Sequence, residues 1–237
     1  VEALGKIGPK TVVLALKEVL KHPDTQERNQ EWATNALGEI GSEEAVATLQ
    51  EVWTHAGTDI WMRERVAEAL VNIGSEKAVV ELKEAFQSDD IDAKIREKAA
   101  KALSKIGSEE ALATLQGVWK HAGPGTWMRE RAAEALVYIG SEKAVLELGE
   151  VFQNKDIAPK IREKAAKTLG KIGSNEAVAA LKEALESPGI NFRMLEKAAE
   201  ALGAIGSDKA VEALKEALQD PGIVRRIWLK AVEALGK

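Results

Sequence analysis

Residues 75–106 read SEKAVVELKEAFQSDDIDAKIREKAAKALSKI, with Ile73-Gly74 before them and Gly107-Ser108 after. Ser75 follows a glycine and opens an apolar run, so its hydroxyl suits a helix N-cap, and Glu76 stands where the helix dipole favours an acid. Ala78, Val79, Leu82, Ala85 and Phe86 recur at three- and four-residue spacing, the mark of one buried helical stripe. Gln87 to Asp92 is polar and reads as a turn. A second helix is predicted from about Ala93 to Ile106, with Ile95, Ala99, Ala102, Leu103 and Ile106 on its buried side. Gly107 ends it as a C′ residue, where a positive φ costs little. The unit is therefore helix A, turn, helix B, turn. No part of the chain carries a strand pattern.

The unit recurs along the whole chain. Ile7-Gly8-Pro9, Ile40-Gly41-Ser42, Ile73-Gly74-Ser75, Ile106-Gly107-Ser108, Ile139-Gly140-Ser141, Ile172-Gly173-Ser174 and Ile205-Gly206-Ser207 follow one another every 33 residues, with no insertion or deletion. The expected fold is all-α: an α-solenoid of about seven two-helix repeats, in which each unit packs mainly on its neighbours. The unbroken period argues for one elongated domain over 1–237, with repeat junctions near Gly8, Gly41, Gly74, Gly107, Gly140, Gly173 and Gly206. Periods near 33 and 34 also belong to ankyrin and tetratricopeptide repeats, but the Thr-Pro-Leu-His start of the first and the Trp/Gly/Tyr signature of the second are absent.

The helix B pattern points elsewhere. The run Ala198-Ala199-Glu200-Ala201-Leu202-Gly203-Ala204-Ile205-Gly206 resembles the HEAT-like repeats of the phycobilisome-lyase type. The resemblance spans the chain and implies helix A on the convex side of the solenoid and helix B on the concave side. It implies no single chemistry, because such repeats serve in chromophore lyases, adaptors and designed binders.

A longer period overlies the first. Residues 42–73 and 108–139 are close copies sharing Trp-Met-Arg-Glu-Arg (61–65 and 127–131). Residues 75–106 and 141–172 are close copies sharing Ile-Arg-Glu-Lys-Ala-Ala-Lys (95–101 and 161–167). Val-Glu-Ala-Leu-Gly-Lys occurs at 1–6 and again at 232–237, so the sequence opens and closes inside a helix B. No polar capping repeat is visible. The expectation is a piece of a longer array whose apolar ends can self-associate.

Composition removes several function classes. There is no cysteine, which excludes disulfides, thiolate metal sites and cysteine nucleophiles and fits a cytoplasmic protein. No stretch approaches 18 apolar residues, and no signal peptide opens the chain. His22, His55 and His121 share one repeat position just after helix A, where a histidine complements the negative helix end. Equivalent positions in neighbouring repeats lie about 10 Å apart, too far to converge on a metal. The paired His-Glu motifs of the HEAT-like metal hydroxylases are missing, since no histidine is followed by glutamate. Nucleophile elbows, phosphate loops and a distinct acid/base pair are missing too. The sequence reads as no enzyme, with no catalytic residue, no metal and no cofactor.

Two rows read as structural. Arg63, Arg96, Arg129 and Arg162 occupy one position, where Gln30, Leu195 and Trp228 depart. By the resemblance this arginine bridges neighbouring units, and Asp59 and Asp92 lie four residues before Arg63 and Arg96. Trp53 and Trp119 align with Phe86, Phe152, Leu20, Leu185 and Leu218 on the buried stripe of helix A and read as core.

Helix B carries the candidate surface. Arg28, Trp61, Lys94, Trp127, Lys160, Arg193 and Arg226 form one row, with Trp61 and Trp127 expected to face solvent in an otherwise basic position. One turn on come Trp32, Arg65, Lys98, Arg131, Lys164, Lys197 and Lys230. Then follow Asn35, Glu68, Lys101, Glu134, Lys167, Glu200 and Glu233, and last Glu39, Asn72, Lys105, Tyr138, Lys171, Ala204 and Lys237. Spacings of 4, 3 and 4 put all four rows on one helix face.

The seven second-helix segments together carry +9, although the chain carries −5. Glu31, Glu64, Glu97, Glu130, Glu163 and Glu196 form an adjacent acidic row that partly cancels this field, and lysines are also ordinary residues of solvated helices. Aromatic and arginine side chains are nonetheless enriched in binding hot spots. The expected function is a protein-interaction scaffold holding an acidic or amphipathic protein or peptide segment on the concave helix B face, with no membrane contact. Nucleic acid or another polyanion on the same face is the second reading, opposed by the overall acidity. A chromophore-lyase-like protein and an engineered scaffold are the further alternatives. The candidate partner-binding residues are Arg28, Trp32, Trp61, Arg65, Lys94, Lys98, Lys101, Lys105, Trp127, Arg131, Tyr138, Lys160, Lys164, Lys167, Lys171 and Arg193.

Overall fold

The computed structural model describes residues 9–22, 25–56, 59–123, 125–187, 190–219 and 232. The helix B segments expected at the two chain ends, with Trp228, Arg226 and Lys230, lie outside the described residues. Among those described, thirteen α-helices alternate as the repeat predicts and no strand occurs. The first helices of successive repeats are α1 (Pro9–Lys21), α3 (Glu43–Ala56), α5 (Val79–Gln87), α7 (Glu109–His121), α9 (Val145–Gln153), α11 (Asn175–Glu186) and α13 (Asp208–Ala217). The second helices are α2 (Glu27–Ile40), α4 (Ile60–Ile73), α6 (Ala93–Ile106), α8 (Trp127–Ile139), α10 (Pro159–Ile172) and α12 (Phe192–Ile205).

The tripeptide that sets the period works at both of its ends. Each junction glycine from Gly41 to Gly206 has φ between 58 and 65°, the left-handed C′ conformation. In each case its N–H closes back on the leucine carbonyl four residues earlier, as Gly107 does on Leu103 at 3.0 Å. The serine that follows caps the next helix. Ser174 Oγ accepts from the Ala177 N–H at 3.2 Å, and Ser207 Oγ from the Ala210 N–H at 3.3 Å. Ser75 and Ser141 accept instead from Lys77 and Lys143, two residues on, at 3.3 and 3.2 Å. A single 3-10 turn therefore precedes α5 and α9, which start three residues later than a continuous helix would. Ser174→Ala should cost about 1 kcal/mol of stability in urea unfolding followed by circular dichroism.

The chain divides into two compact units, residues 1–114 and 115–237, with the boundary inside α7. In the first unit, α2 packs on α4 and α4 on α6, with the first helices behind them. Leu37, Leu49, Leu70, Leu82, Phe86 and Leu103 are fully buried there, and Trp53 is buried too. In the second unit α8 packs on α10 and α10 on α12, over a core of Leu115, Trp119, Leu136, Leu148, Phe152 and Leu169. Paired alanines let the second helices approach closely, as Ala165 with Ala166 and Ala198 with Ala199 show.

The arginine row does two different jobs. In the first unit Arg63 lies over the Trp53 ring, 4.4 Å from its centroid, while the Trp53 indole N–H donates to Glu84 at 2.7 Å. Arg63 also reaches Glu84, in the next repeat, at 3.9 Å. In the second unit Arg129 lies 4.4 Å from the Trp119 centroid, and the Trp119 indole donates to Glu150 at 2.7 Å. Where helix A carries phenylalanine, the arginine turns inward within its own repeat. Arg96 Nε donates to the Phe86 carbonyl at 3.3 Å, and Arg162 Nε to the Phe152 carbonyl at 2.8 Å. The bridge between neighbouring units is thus seen at Arg63, while Arg96 and Arg162 close the end of their own helix A. Asp59 and Asp92 serve as N-caps of α4 and α6, accepting from Met62 and Lys94.

Two charged side chains are buried among the described residues, Glu147 and Arg162. Glu147 is 2% exposed, and it receives Lys120 at 2.9 Å and Gln116 at 3.0 Å. Burial pushes its carboxyl up, but the bonds from Lys120 and Gln116 prevail and hold it below its ordinary 4.5. A carboxylate depressed in the folded state stabilises the fold above its unfolded pKa, and that stabilisation is lost as pH falls through the folded value. The urea midpoint should therefore drop less between pH ~6 and pH ~3 in Glu147→Gln than in the parent chain. Equal acid losses would place the pH dependence in other carboxylates.

Candidate functional site

The second helices present the candidate face in each of the two units. In the first unit it is built from α2, α4 and α6. Trp32 stands out at 59% exposure and borders an apolar pocket of about 700 Å³ between α1 and α2, lined by Val12, Leu16, Val19 and Ala36. Arg28 is exposed at the start of α2. Trp61, expected to face solvent, is half-buried. An indole lays its ring against the surface where a lysine at the same row position lets its ammonium reach water.

The charges of this face are largely tied to one another. Arg65 pairs with Glu31 at 3.1 Å and with Glu68 at 3.5 Å. Lys98 pairs with the same Glu68, and Lys101 with Glu97 at 2.7 Å. Lys94 and Lys105 are exposed and have no ion-pair partner among the described residues.

In the second unit the face is built from α8, α10 and α12. The Thr168 hydroxyl donates to the Val137 carbonyl at 3.4 Å and ties α10 to α8. Gly170 ties α10 to α12 by its missing side chain: a Cβ there would stand 3.2 Å from Ala201 Cα and Ala201 O. Tyr138 is 67% exposed on the last turn of α8, and Trp127 is half-buried on its first. Arg131 is held by Glu134 at 2.8 Å, Arg193 by Glu163 at 2.7 Å, and Lys197 by Glu200 at 2.6 Å.

Lys160, Lys164, Lys167 and Lys171 are all exposed and make no ion pair among the described residues. They flank a groove of about 750 Å³ whose floor is Gly170, Ala201 and Ala204. The two lysine stripes, nearly identical in sequence, therefore differ in the structure. On α6 the flanking glutamates turn to lysines. Beside α10, Glu134 pairs with Arg131 and Glu163 with Arg193, and Glu163 still lines the groove with the lysines. Helical spacing placed each stripe along one side of its helix. It missed the groove floor, whose one signal was the small side chains at Gly170, Ala201 and Ala204.

No group of three or more His, Cys, Asp or Glu residues is arranged to hold a metal among the described residues. His55 Nδ1 lies 2.6 Å from the Glu51 carbonyl, one turn back on its own helix. None of the described helices is long and apolar enough to cross a membrane.

Paired helices repeating at a fixed interval, glycine-closed and alanine-packed, define an α-solenoid repeat protein. The family model described as HEAT repeats matches residues 1–60, 27–94, 53–126 and 122–193, and the chain belongs to that family. The PBS lyase HEAT-like repeat model matches residues 195–220. Human deoxyhypusine hydroxylase, solved in complex with glycerol, matches at 21% identity and TM-score 0.41, over 99% of each chain. The complex of CpcE and CpcF of phycocyanin lyase from Nostoc matches at 20% identity and TM-score 0.47, over 97% of this chain and 96% of that one. No curated protein matches the sequence.

Proposed function

We propose that this chain is a protein-interaction scaffold that binds an acidic segment of a partner protein on its second-helix face, the concave one in the arrangement the repeat family suggests. The observation that carries the reading lies on the packed helices α8 and α10: an exposed Tyr138 on the first and four exposed lysines on the second that make no ion pair among the described residues. An exposed aromatic gives contact area at small entropic cost, and unpaired cations steer an acidic partner and select it. The pairing of Arg65, Lys98 and Lys101 makes the first unit's face a weaker attractor.

Selection of twelve-residue peptides from a phage library against the immobilised chain tests the reading. Acidic sequences should be enriched, and their affinity for Trp127→Ala and Tyr138→Ala chains should fall by about 1 kcal/mol or more. Enrichment of sequences without net negative charge, or undiminished binding to both variants, would sink it.

A further inference from the structure

We infer that Arg193 is a positioning residue for acid binding: by holding Glu163 it leaves Lys167 free for a partner's carboxylate. This rests on the reading above and names the side chain that makes α10, rather than the near-identical α6, the acid-binding helix.

The two stripes are an internal control. Ile95-Arg96-Glu97-Lys98-Ala99-Ala100-Lys101 and Ile161-Arg162-Glu163-Lys164-Ala165-Ala166-Lys167 are the same heptapeptide, so helix propensity and local spacing are equal in both. On α6, Glu97 pairs with Lys101, one turn on, at 2.7 Å. That is the favourable sense for such a pair, with the acid nearer the helix N-terminus. On α10 the same step is open to Glu163, yet Glu163 pairs with Arg193 Nε at 2.7 Å and Lys167 makes no ion pair among the described residues. The cause therefore lies outside the heptapeptide. Thirty residues beyond Glu163 stands Arg193; thirty beyond Glu97 stands Trp127, which has no charge to offer.

Glu163 has other cations within reach, and physical chemistry favours the arginine. On its own helix Lys160 stands three residues before it, Lys164 next to it and Lys167 four after. The Glu163 side chain is only 21% exposed, whereas that of Arg193 is 67% exposed and reaches it from α12. A guanidinium is more weakly hydrated than an ammonium, so it loses less on docking against a shielded carboxylate. Gly170 sets the approach of the two helices, since a Cβ there would stand 3.2 Å from Ala201 Cα. The remaining groove cation of α12, Lys197, is taken by Glu200 at 2.6 Å.

Both carboxylates in the groove lining, Glu163 and Glu200, are thus answered by cations of α12. The α10 lysines keep their charge for an incoming acid although Glu163 stands among them. Without Arg193, Glu163 turns to Lys167 as Glu97 turns to Lys101, and a partner's carboxylate has to displace it. Such a pair lowers the affinity by a factor of about two.

Trace labelling with acetic anhydride, read by mass spectrometry, tests the pairing with no partner present. Lys167 and Lys101 are both exposed, so pairing decides which reacts more slowly. In the parent chain Lys167 should be acetylated at least about twofold faster than Lys101. Arg193→Gln should slow Lys167 to the rate of Lys101 and leave Lys101 as it was. An unchanged Lys167 rate would overturn the inference and leave the scaffold reading standing.

Fluorescence anisotropy with a labelled hexaglutamate peptide at physiological salt tests the consequence. Arg193→Gln should weaken binding about two- to threefold. In a Glu163→Gln background the same substitution should change it by less than about 1.5-fold, because no carboxylate is left to hold and the bare loss of a surface charge is screened. Equal losses in the two backgrounds would mean that Arg193 meets the peptide itself, and would overturn the positioning role. Failure of hexaglutamate to bind the parent chain would remove the acid-binding reading, and with it the role of Arg193, whatever the labelling gives. Far-UV circular dichroism confirms the fold of each variant.

Discussion

Trp119→Ala is expected to lower the unfolding free energy by about 3–5 kcal/mol, the largest loss from a single side chain in the second unit. Trp119 is fully buried and is the largest side chain in that core. Its removal leaves a cavity that surrounding leucines on fixed helices fill only in part. It also takes away the platform under Arg129 and the donor to Glu150. Those polar losses are the smaller share, because Glu150 is exposed and water can replace the indole.

Trp119→Phe separates the two contributions. Phenylalanine already fills the equivalent position at Phe86 and Phe152, so most of the burial survives. Its cost should be less than half that of the alanine variant in urea unfolding read by circular dichroism. Equal costs would mean that the Trp-Arg-Glu ladder, and not burial, holds the repeat together. Trp53, at 6% exposure, should follow the same order with a smaller loss.

The period of the sequence located the helices well because every junction carries its own stop and start. Gly107 and Asp92 bound α6 at the residues that the glycine and the polar turn predict. The register also separated core tryptophans from the others, since Trp53 and Trp119 sit in rows of phenylalanine and leucine. What the register could not supply was the pairing of charges. Glu68 and Glu134 are equivalent in the two copies, yet Glu68 serves both Arg65 and Lys98 while Glu134 is held by Arg131. Competing exposed pairs differ by a few tenths of a kcal/mol, so spacing does not choose between them. The residue that decides for Glu163 is Arg193, thirty residues away on the next second helix. The half-buried state of Trp61 and Trp127 was hidden for a related reason. A row that is basic in five repeats says where the backbone points, not how a flat ring settles there.

Arg162→Ala is expected to cost about 1.5–3 kcal/mol, the range for a buried hydrogen bond from a charged donor. Arg162 is only 4% exposed, and its Nε donates to the Phe152 carbonyl at 2.8 Å. That carbonyl belongs to the last turn of α9, where no backbone N–H further along the helix can reach it. Burial pulls the Arg162 pKa down, yet a guanidinium remains charged at neutral pH, so the site holds a cation with one carbonyl as its hydrogen-bond partner. Arg162→Met keeps the packing of the stem and removes the donor. If the hydrogen bond to α9 is what matters, the methionine variant should be nearly as unstable as the alanine variant. A methionine variant as stable as the parent would show that the arginine acts through its hydrocarbon stem. Arg96 supplies the internal comparison: its bond to Phe86 is longer, at 3.3 Å, and its side chain is 12% exposed and paired with Asp89 at 3.0 Å. Arg96→Ala should therefore cost less than Arg162→Ala under the same conditions. The opposite order would mean that the ion pair with Asp89 outweighs closure of the helix end.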